Sequence, residues 1–356
     1  MDYVNSMLEV IGNTKLLKLN RIGKDVKANI FVKLEHLNPS GSYTDRMALS
    51  MVEAAERGET WNGKRLPPGG TVCDASAGNT APALSFICAL KGYTIKLCSY
   101  AHFLHSSDKN QSVRMKISSA YGAKIYPCPL PCDDVLNKLQ TEKERRYATI
   151  INGKYHMYQM ERDDPNVVWV DQIYNEANVN GQRSMGNEIY NQLDGKIDAW
   201  GASIGSGATF LGVLRALKDK GVNPHTFGVV PEGGTSLVDI SADIAKSVTM
   251  GRPEIRMKIV KMLGLDKWVT EDSIVETIYK AGHPNEWFEV SPTDARMMAN
   301  RLCEEEGIYC GMSSGANVYA ALKVAENMKS GQNVVTVIVD RRDRYLDEYP
   351  NDQYVV

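Results

Sequence analysis

The 356-residue sequence has no apolar run approaching the length of a membrane span, and no fixed-period repeat or low-complexity stretch. It has no basic surplus either. Lys and Arg number 41 against 43 Asp and Glu, a net charge of −2, so neither a nucleic-acid backbone nor an anionic membrane is an expected partner. The opening Met1-Asp2-Tyr3-Val4-Asn5 lacks a basic stretch leading into an apolar one, which argues against a secretory signal. A disulfide framework is missing too: the seven cysteines, an odd number, are scattered from Cys73 to Cys310, and reduced thiols in the cytoplasm are expected. What remains is an ordinary globular balance, 43% hydrophobic and 24% charged, which sets aside disorder and fibrous classes.

Strand-like runs alternate with helical ones. Asn29–Glu35, Thr71–Ala75, Thr94–Cys98 and Ala123–Pro127 read as strands. Between them, residues 44–57 carry Met47, Met51, Val52 and Ala55 on one helical face and stop at Gly58. Helices are likewise predicted over 81–90, ending at Gly92, and over 107–121, ending at Gly122. The second half repeats the pattern with strands at 197–201, 227–230 and 334–339 and a helix over 210–220. Such alternation implies an α/β fold of two open twisted parallel sheets, each covered by helices, with ligand loops at the carboxyl ends of strands. Residues 250–290, rich in charge and aromatic rings, are expected to be a surface-covering insertion, and Asp340–Arg344 a solvated or salt-bridged strand end.

Three loops carry the chemistry for an anionic ligand. Ser76-Ala77-Gly78-Asn79-Thr80 and Gly205-Ser206-Gly207-Ala208-Thr209 each sit between a strand and a helix. Small residues there let backbone N–H groups approach a carboxylate or phosphate at the positive helix end, although tight strand-to-helix turns need the same residues. Phe210 stands where a dinucleotide fingerprint requires a third glycine, and no Gly-x4-Gly-Lys-Ser/Thr loop occurs. Gly311-Met312-Ser313-Ser314-Gly315 has the form of a nucleophile elbow, but no histidine follows Ser313 to act as the general base of a serine hydrolase. No metal site is expected: Cys128 with Cys132, and His102 with His105, are single pairs without further ligands.

Taken in order, these segments resemble the cysteine synthase family, which includes O-acetylserine sulfhydrylase and cystathionine β-synthase and uses pyridoxal 5′-phosphate on the fold-type II, tryptophan synthase β-like architecture. The resemblance begins at Leu8–Thr14 and Lys33–Ser42 and runs to about residue 346. It implies that Ser76, Ala77, Gly78 and Thr80 receive a substrate carboxylate, with Asn79 at the cofactor's 3′-oxygen. It implies further that Gln172, in the stretch Asp171–Asn178, faces the substrate. Gly205, Ser206, Gly207, Ala208 and Thr209 would hold the phosphate, Ala208 replacing a family glycine, and Ser313 would meet the pyridine nitrogen. A neutral hydroxyl there leaves the ring a weaker electron sink, which suits β-elimination and β-replacement on a serine- or cysteine-like amino acid. A homodimer is implied as well. Two domains are expected about a cofactor cleft, a smaller mobile one of residues 45–155 and a larger one of residues 1–44 with 156–356.

One departure dominates. The family run Ser-x-Lys-Asp-Arg, whose lysine holds the cofactor as an imine, reads Ser42-Tyr43-Thr44-Asp45-Arg46 here. A threonine cannot form a Schiff base and is a poor base for a Cα proton. Lys33, eleven residues earlier, occupies its own family position. Locally Thr44 is comfortable, since Thr and Ser suit helix starts and Ser42-x-x-Asp45 fits a capping box. Three readings follow: a family enzyme whose lysine has been exchanged for Thr44, engineered or natural, and which is thereby disabled; a protein that binds the cofactor, or a cofactor–amino acid imine, without a covalent bond; and a non-catalytic amino-acid sensor or partner-binding protein. A second departure lies near Gly251–Glu254. There the family's Gly-rich stretch is not recognisable, and Arg252, Lys258, Lys261 and Trp268 stand instead.

Overall fold

Each parallel strand needs a crossover to bring the chain back to the same edge, and the helices between the strands supply it. In a computed structural model the described residues are 3–76, 78–99, 113–232, 261–262, 264 and 274–348. The chain runs through β1 (Leu16–Lys18), β2 (Asn29–Leu34), α1 (Thr44–Arg57), β3 (Thr71–Ala75), α2 (Thr80–Lys91) and β4 (Thr94–Ser99). It continues through α3 (Val113–Ala120), β5 (Lys124–Pro127), α4 (Asp133–Leu136), α5 (Glu142–Asp163), β6 (Val167–Trp169) and α6 (Glu176–Gln192). Then come β7 (Ala199–Ser203), α7 (Ala208–Asp219), β8 (His225–Pro231), α8 (Ile274–Lys280), β9 (Glu286–Val290), α9 (Pro292–Glu306), α10 (Met312–Glu326) and β10 (Asn333–Ile338).

Local chemistry sets several of these ends. The Thr141 hydroxyl accepts from the Glu144 N–H while the Glu144 carboxylate accepts from the Thr141 N–H, a reciprocal cap that opens α5. Ser291 caps α9, with Pro292 in its first turn where a missing N–H costs nothing. Gly92 closes α2 in the left-handed region.

The chain divides into two compact units. One comprises Met1–Arg46, Gln182–Ala242 and Ile278–Val356 and holds a six-stranded sheet in the order β1-β2-β10-β7-β8-β9. Only the β1–β2 pair is antiparallel. β10, between β2 and β7, is buried along its whole length, which explains why its sequence is a continuous Val/Ile-rich run rather than an alternating one. The other unit comprises Met47–Gly181 and Asp243–Thr277 and holds a four-stranded parallel sheet in the order β5-β4-β3-β6. No helix among the described residues is long and apolar enough to cross a membrane.

Four expectations need correction. The chain returns to the first unit at Gln182 and not at residue 156, because β6 pairs with β3 and belongs to the four-stranded sheet. Residues 286–290 are not insertion but the edge strand β9, paired with β8, while most of 250–273 lies outside the described residues. Asp340, Arg342 and Arg344 are buried: Tyr345 donates to Asp340 and Arg342 to the Cys310 carbonyl, so only Arg341 and Asp343 form the surface ion pair. At the start of α1, the Asp45 carboxylate accepts from the N–H and hydroxyl of Ser40 instead of closing a box with Ser42. Gly41, at φ +91°, turns the chain tightly enough for that reach. The predicted start of α3 at 107–112 lies outside the described residues.

Candidate functional site

The six-stranded unit brings three of the sequence-predicted elements to the carboxyl ends of its strands. β7 ends at Ser203, and the Ile204 N–H bonds the Val229 carbonyl of β8, which fixes where the loop leaves the sheet. Gly207, at φ +87°, turns the chain into α7, so the first N–H groups of that helix open onto the loop Gly205–Thr209. Ala208 is the first helical residue of α7 and is absent from the positive-φ residues. The position therefore does not require the family glycine. Ser313 lies in the first turn of α10 and lines an apolar pocket with Ser203, Val229, Pro231, Ala295 and Met312. Its neighbour Ser314 is committed elsewhere, accepting from the Val339 N–H at 2.9 Å.

The glycines of 311–315 serve packing. A Cβ at Gly315 would lie 2.0 Å from the Ala295 carbonyl, and one at Gly311 would lie 2.5 Å from Asp340. The elbow-like spacing is thus explained by close helix and loop approach.

Thr44 opens α1 and is only 4% exposed, its hydroxyl against that of Ser42. The segment is tied to the end of β10: the Tyr43 N–H donates to Val339, Ser42 bridges Asp340, and the Gly311 N–H donates to the Asp340 carbonyl. The segments bearing Thr44 and Ser313 are therefore anchored on the same two residues. Lys33 is committed elsewhere. It is fully buried and donates to the Thr14 carbonyl at 2.6 Å and Gln192 at 3.1 Å, with Glu188 at 2.7 Å.

The four-stranded unit holds the other predicted group. Ser76 follows β3, its N–H bonded to the Cys98 carbonyl, and Gly78 donates to the Ser76 hydroxyl at 3.2 Å. Asn79 and Thr80 begin α2. Ala77 lies outside the described residues. The Thr80 hydroxyl donates to Gln172 Oε1 at 2.6 Å, so two residues separated by 92 positions form one polar pair.

Two charged groups in the same unit were missed by sequence reasoning. Lys154 of α5, buried, donates to Asp171 Oδ1 at 2.6 Å. Asp74 is fully buried on β3: Trp169 Nε1 donates to its Oδ1 at 3.2 Å, and its Oδ2 has no partner among the described residues. Asp171 was visible only as the residue before Gln172, and Lys154 sits in a helix so charged that no face stands out. A lysine on the same helix register as apolar Met157 was the only available signal.

Burial pushes the Asp74 carboxyl up to about 7, with Asp171 adding repulsion and Lys154 opposing it. Asp45 is raised to about 6, again by burial, against hydrogen bonds from Ser40. A raised carboxyl keeps its proton in the folded chain after the unfolded chain has lost it, so stability declines as pH rises from about 4 through the folded value. The Asp74→Asn variant is expected to show a flatter decline in unfolding midpoint up to pH about 7, leaving the Asp45 contribution, which is complete by pH about 6. Denaturant titrations at several pH values measure it, and an unchanged slope in the variant refutes the assignment.

Comparison with known proteins gives a consistent result. A family model described as pyridoxal-phosphate dependent enzyme matches residues 7–340. The chain is 33% identical to cysteine synthase 1 of Emericella nidulans over 97% of its own length and 84% of that protein. It is 31% identical to a cysteine synthase of Staphylococcus aureus, with 96% of each chain covered. Among solved structures it resembles cysteine synthase from Entamoeba histolytica, with TM-score 0.74 and 24% identity over 99% of this chain and 92% of that one.

Proposed function

The chain belongs to the pyridoxal-phosphate dependent enzyme family, among the relatives of cysteine synthase, and from this we propose that it binds pyridoxal 5′-phosphate without a covalent bond on a scaffold built for β-elimination and β-replacement. The substrate class is a serine- or cysteine-like amino acid. The observation that carries the proposal is the setting of Thr44, buried and hydrogen-bonded to Ser42 at the family's lysine position, with Lys33 fully engaged elsewhere.

The residues of the six-stranded unit fit the cofactor. The loop Gly205–Thr209 offers backbone N–H groups and the Ser206 and Thr209 hydroxyls to a phosphate, and the apolar pocket beside Ser313 offers a dry wall for a flat ring. When bound, pyridoxal phosphate supplies an electron sink for charge developing at the amino-acid Cα. Ser313, with a neutral hydroxyl, would hydrogen-bond the ring nitrogen without adding charge. Asn79 would meet the ring's 3′-oxygen. Ser76, Gly78 and Thr80 would hold the substrate carboxylate, helped by the positive end of α2, and Gln172 would orient it through Thr80. Thr44 binds no amine and, at the ordinary acidity of a hydroxyl, takes up no Cα proton, so turnover is weak or absent. We include in the proposal the homodimer that the family resemblance implies.

Absorbance titration tests the proposal. Pyridoxal phosphate should bind the purified chain and exchange freely on dialysis, with pyridoxal, which lacks the phosphate, at least about tenfold weaker. Serine or cysteine should then shift the spectrum. A chain that binds neither form, or responds to amino acid without cofactor, contradicts the proposal; the second result would favour a sensor.

A further inference from the structure

Gln172 owes its place to a corner of backbone that does not hold itself. Asp171, the residue before it, has φ +29°, a conformation that side-chain-bearing residues adopt sparingly. The corner is braced on every side: the Ile173 N–H donates to Asp171 Oδ1 at 3.2 Å, and the Asn175 N–H to the Asp171 carbonyl at 3.1 Å. Asn175 Nδ2 donates to the Val170 carbonyl and Asn178 Nδ2 to the Gln172 carbonyl, each at 2.6 Å. Among the described residues the one charged brace is Lys154 Nζ, 2.6 Å from Asp171 Oδ1. It projects from the long helix α5 and lies 5.6 Å from the centroid of the Trp169 ring and 5.8 Å from that of Tyr174. The same ammonium opposes the charge of Asp74, whose Oδ2 is buried without a partner among the described residues.

We propose that Lys154 is a positioning residue for amino-acid recognition: its hydrogen bond to Asp171 Oδ1 fixes the left-handed corner from which Gln172 meets Thr80. The inference rests on the reading of Thr80 and Gln172 as substrate residues. Lys154 does not touch the ligand. It acts by geometry, because a buried donor on a long helix, 2.6 Å from Asp171 Oδ1, holds that carboxylate at one place, and the backbone conformation of the next peptide follows. Removing the ammonium frees the corner to relax toward negative φ, which turns the Gln172 side chain away from Thr80.

The test uses the full chain, with pyridoxal phosphate and then L-serine as probes, read by absorbance and by tryptophan fluorescence. In Lys154→Met the affinity for pyridoxal phosphate should stay within about twofold, because the phosphate loop belongs to the other unit, while half-saturation by L-serine should rise about tenfold. Adding Asp171→Gly to that variant should bring L-serine affinity back to within about threefold, since glycine holds positive φ unaided. Asp171→Asn, which tolerates the same φ and still accepts from Lys154, should also remain within about threefold and does not depend on Lys154→Met folding. Unchanged serine affinity in Lys154→Met, no recovery in the double variant, or a tenfold loss in Asp171→Asn each overturns the inference, the last two by showing that charge and not geometry matters. If the wild-type chain binds cofactor but never responds to serine, the reading of Thr80 and Gln172 fails first and takes the inference with it.

Discussion

Thr44→Lys is expected to turn a chain that exchanges its cofactor freely into one that holds it covalently, yellow and resistant to dialysis. The position is prepared for it. Thr44 is the first residue of α1, so an amine there sits at the positive end of the helix, which disfavours the ammonium and leaves a neutral nucleophile near pH 7. Burial, at 4% exposure, acts in the same direction. The neighbouring braces remain: Asp45 on Ser40, and Ser42 bridging to Asp340. Supplying a base in reach of the Cα proton is worth about 10²–10⁴ in rate, so turnover of serine or O-acetylserine should rise by that order. Borohydride reduction followed by peptide mass analysis locates the bond, and Thr44→Ala serves as the control that gains neither colour nor rate. A folded Thr44→Lys protein that stays colourless and inactive removes the catalytic half of the proposal.

The second large effect falls on stability. Lys33 of β2, Arg46 of α1, Glu35 and Glu188 of α6 form a buried group of two cations and two carboxylates. Glu35 accepts from Arg46 at 2.8 and 2.9 Å and from Thr14 at 2.6 Å, while Glu188 pairs with Arg46 and Lys33, each at 2.7 Å. The two members of the Lys33–Glu188 pair respond differently. Burial prevails at the wholly enclosed Lys33 and lowers it in spite of the carboxylates, whereas at Glu188, 18% exposed, burial is outweighed by Arg46 and Lys33 and the carboxyl is held down to about 2. Glu188→Gln leaves two buried cations facing one carboxylate, and loss of one partner from such a group costs about 3–5 kcal/mol. Urea titration should show that loss, and Lys33→Met on top of Glu188→Gln should recover much of it by restoring the balance. A midpoint unmoved by Glu188→Gln shows that the pairs contribute nothing net. The sign with pH is opposite to that of Asp74: a depressed carboxyl stabilises above its unfolded value of 4.5 and loses that contribution as pH falls toward about 2, so the variant should also show a shallower acid limb.

Much of the fold could be read from residues alone where the burial was complete or the punctuation strong. Thr71–Ala75 and residues 44–57 have the predicted limits, the first because it is bounded by Gly69-Gly70 and by the polar loop from Ser76, the second because its apolar face ends at Gly58. β1 and β6, three residues each, are too short to carry a period, and β6 was lost with the domain boundary that depends on it. α5 was invisible for another reason. Glu142–Asp163 spreads charge over so much of its surface that no apolar stripe stands out, although Ala148 and Met157 are buried, and its helicity rests on the Thr141–Glu144 cap and on packing against β3 and β6. The pentapeptide Asp340–Arg344 looked like a wet strand end because charge in sequence suggests solvent, whereas Arg342 finds the Cys310 carbonyl and the Tyr309 ring.

By itself the sequence determined which chemical groups stand in which loop: hydroxyls and small residues after strands, a serine at 313 and a threonine at 44. Those are properties of neighbours along the chain, where strand, turn and helix start follow one another within a few residues. Tertiary structure alone decided which of those groups are engaged. Strand order and helix packing set Lys33 on Glu188 across 155 positions, Thr80 on Gln172 across 92, and Lys154 on Asp171 across 17, and they sent Ser314 to Val339 while leaving Ser313 at the pocket. The physical reason is that a hydrogen bond or an ion pair depends on distance in space, which sheet topology fixes and sequence separation does not.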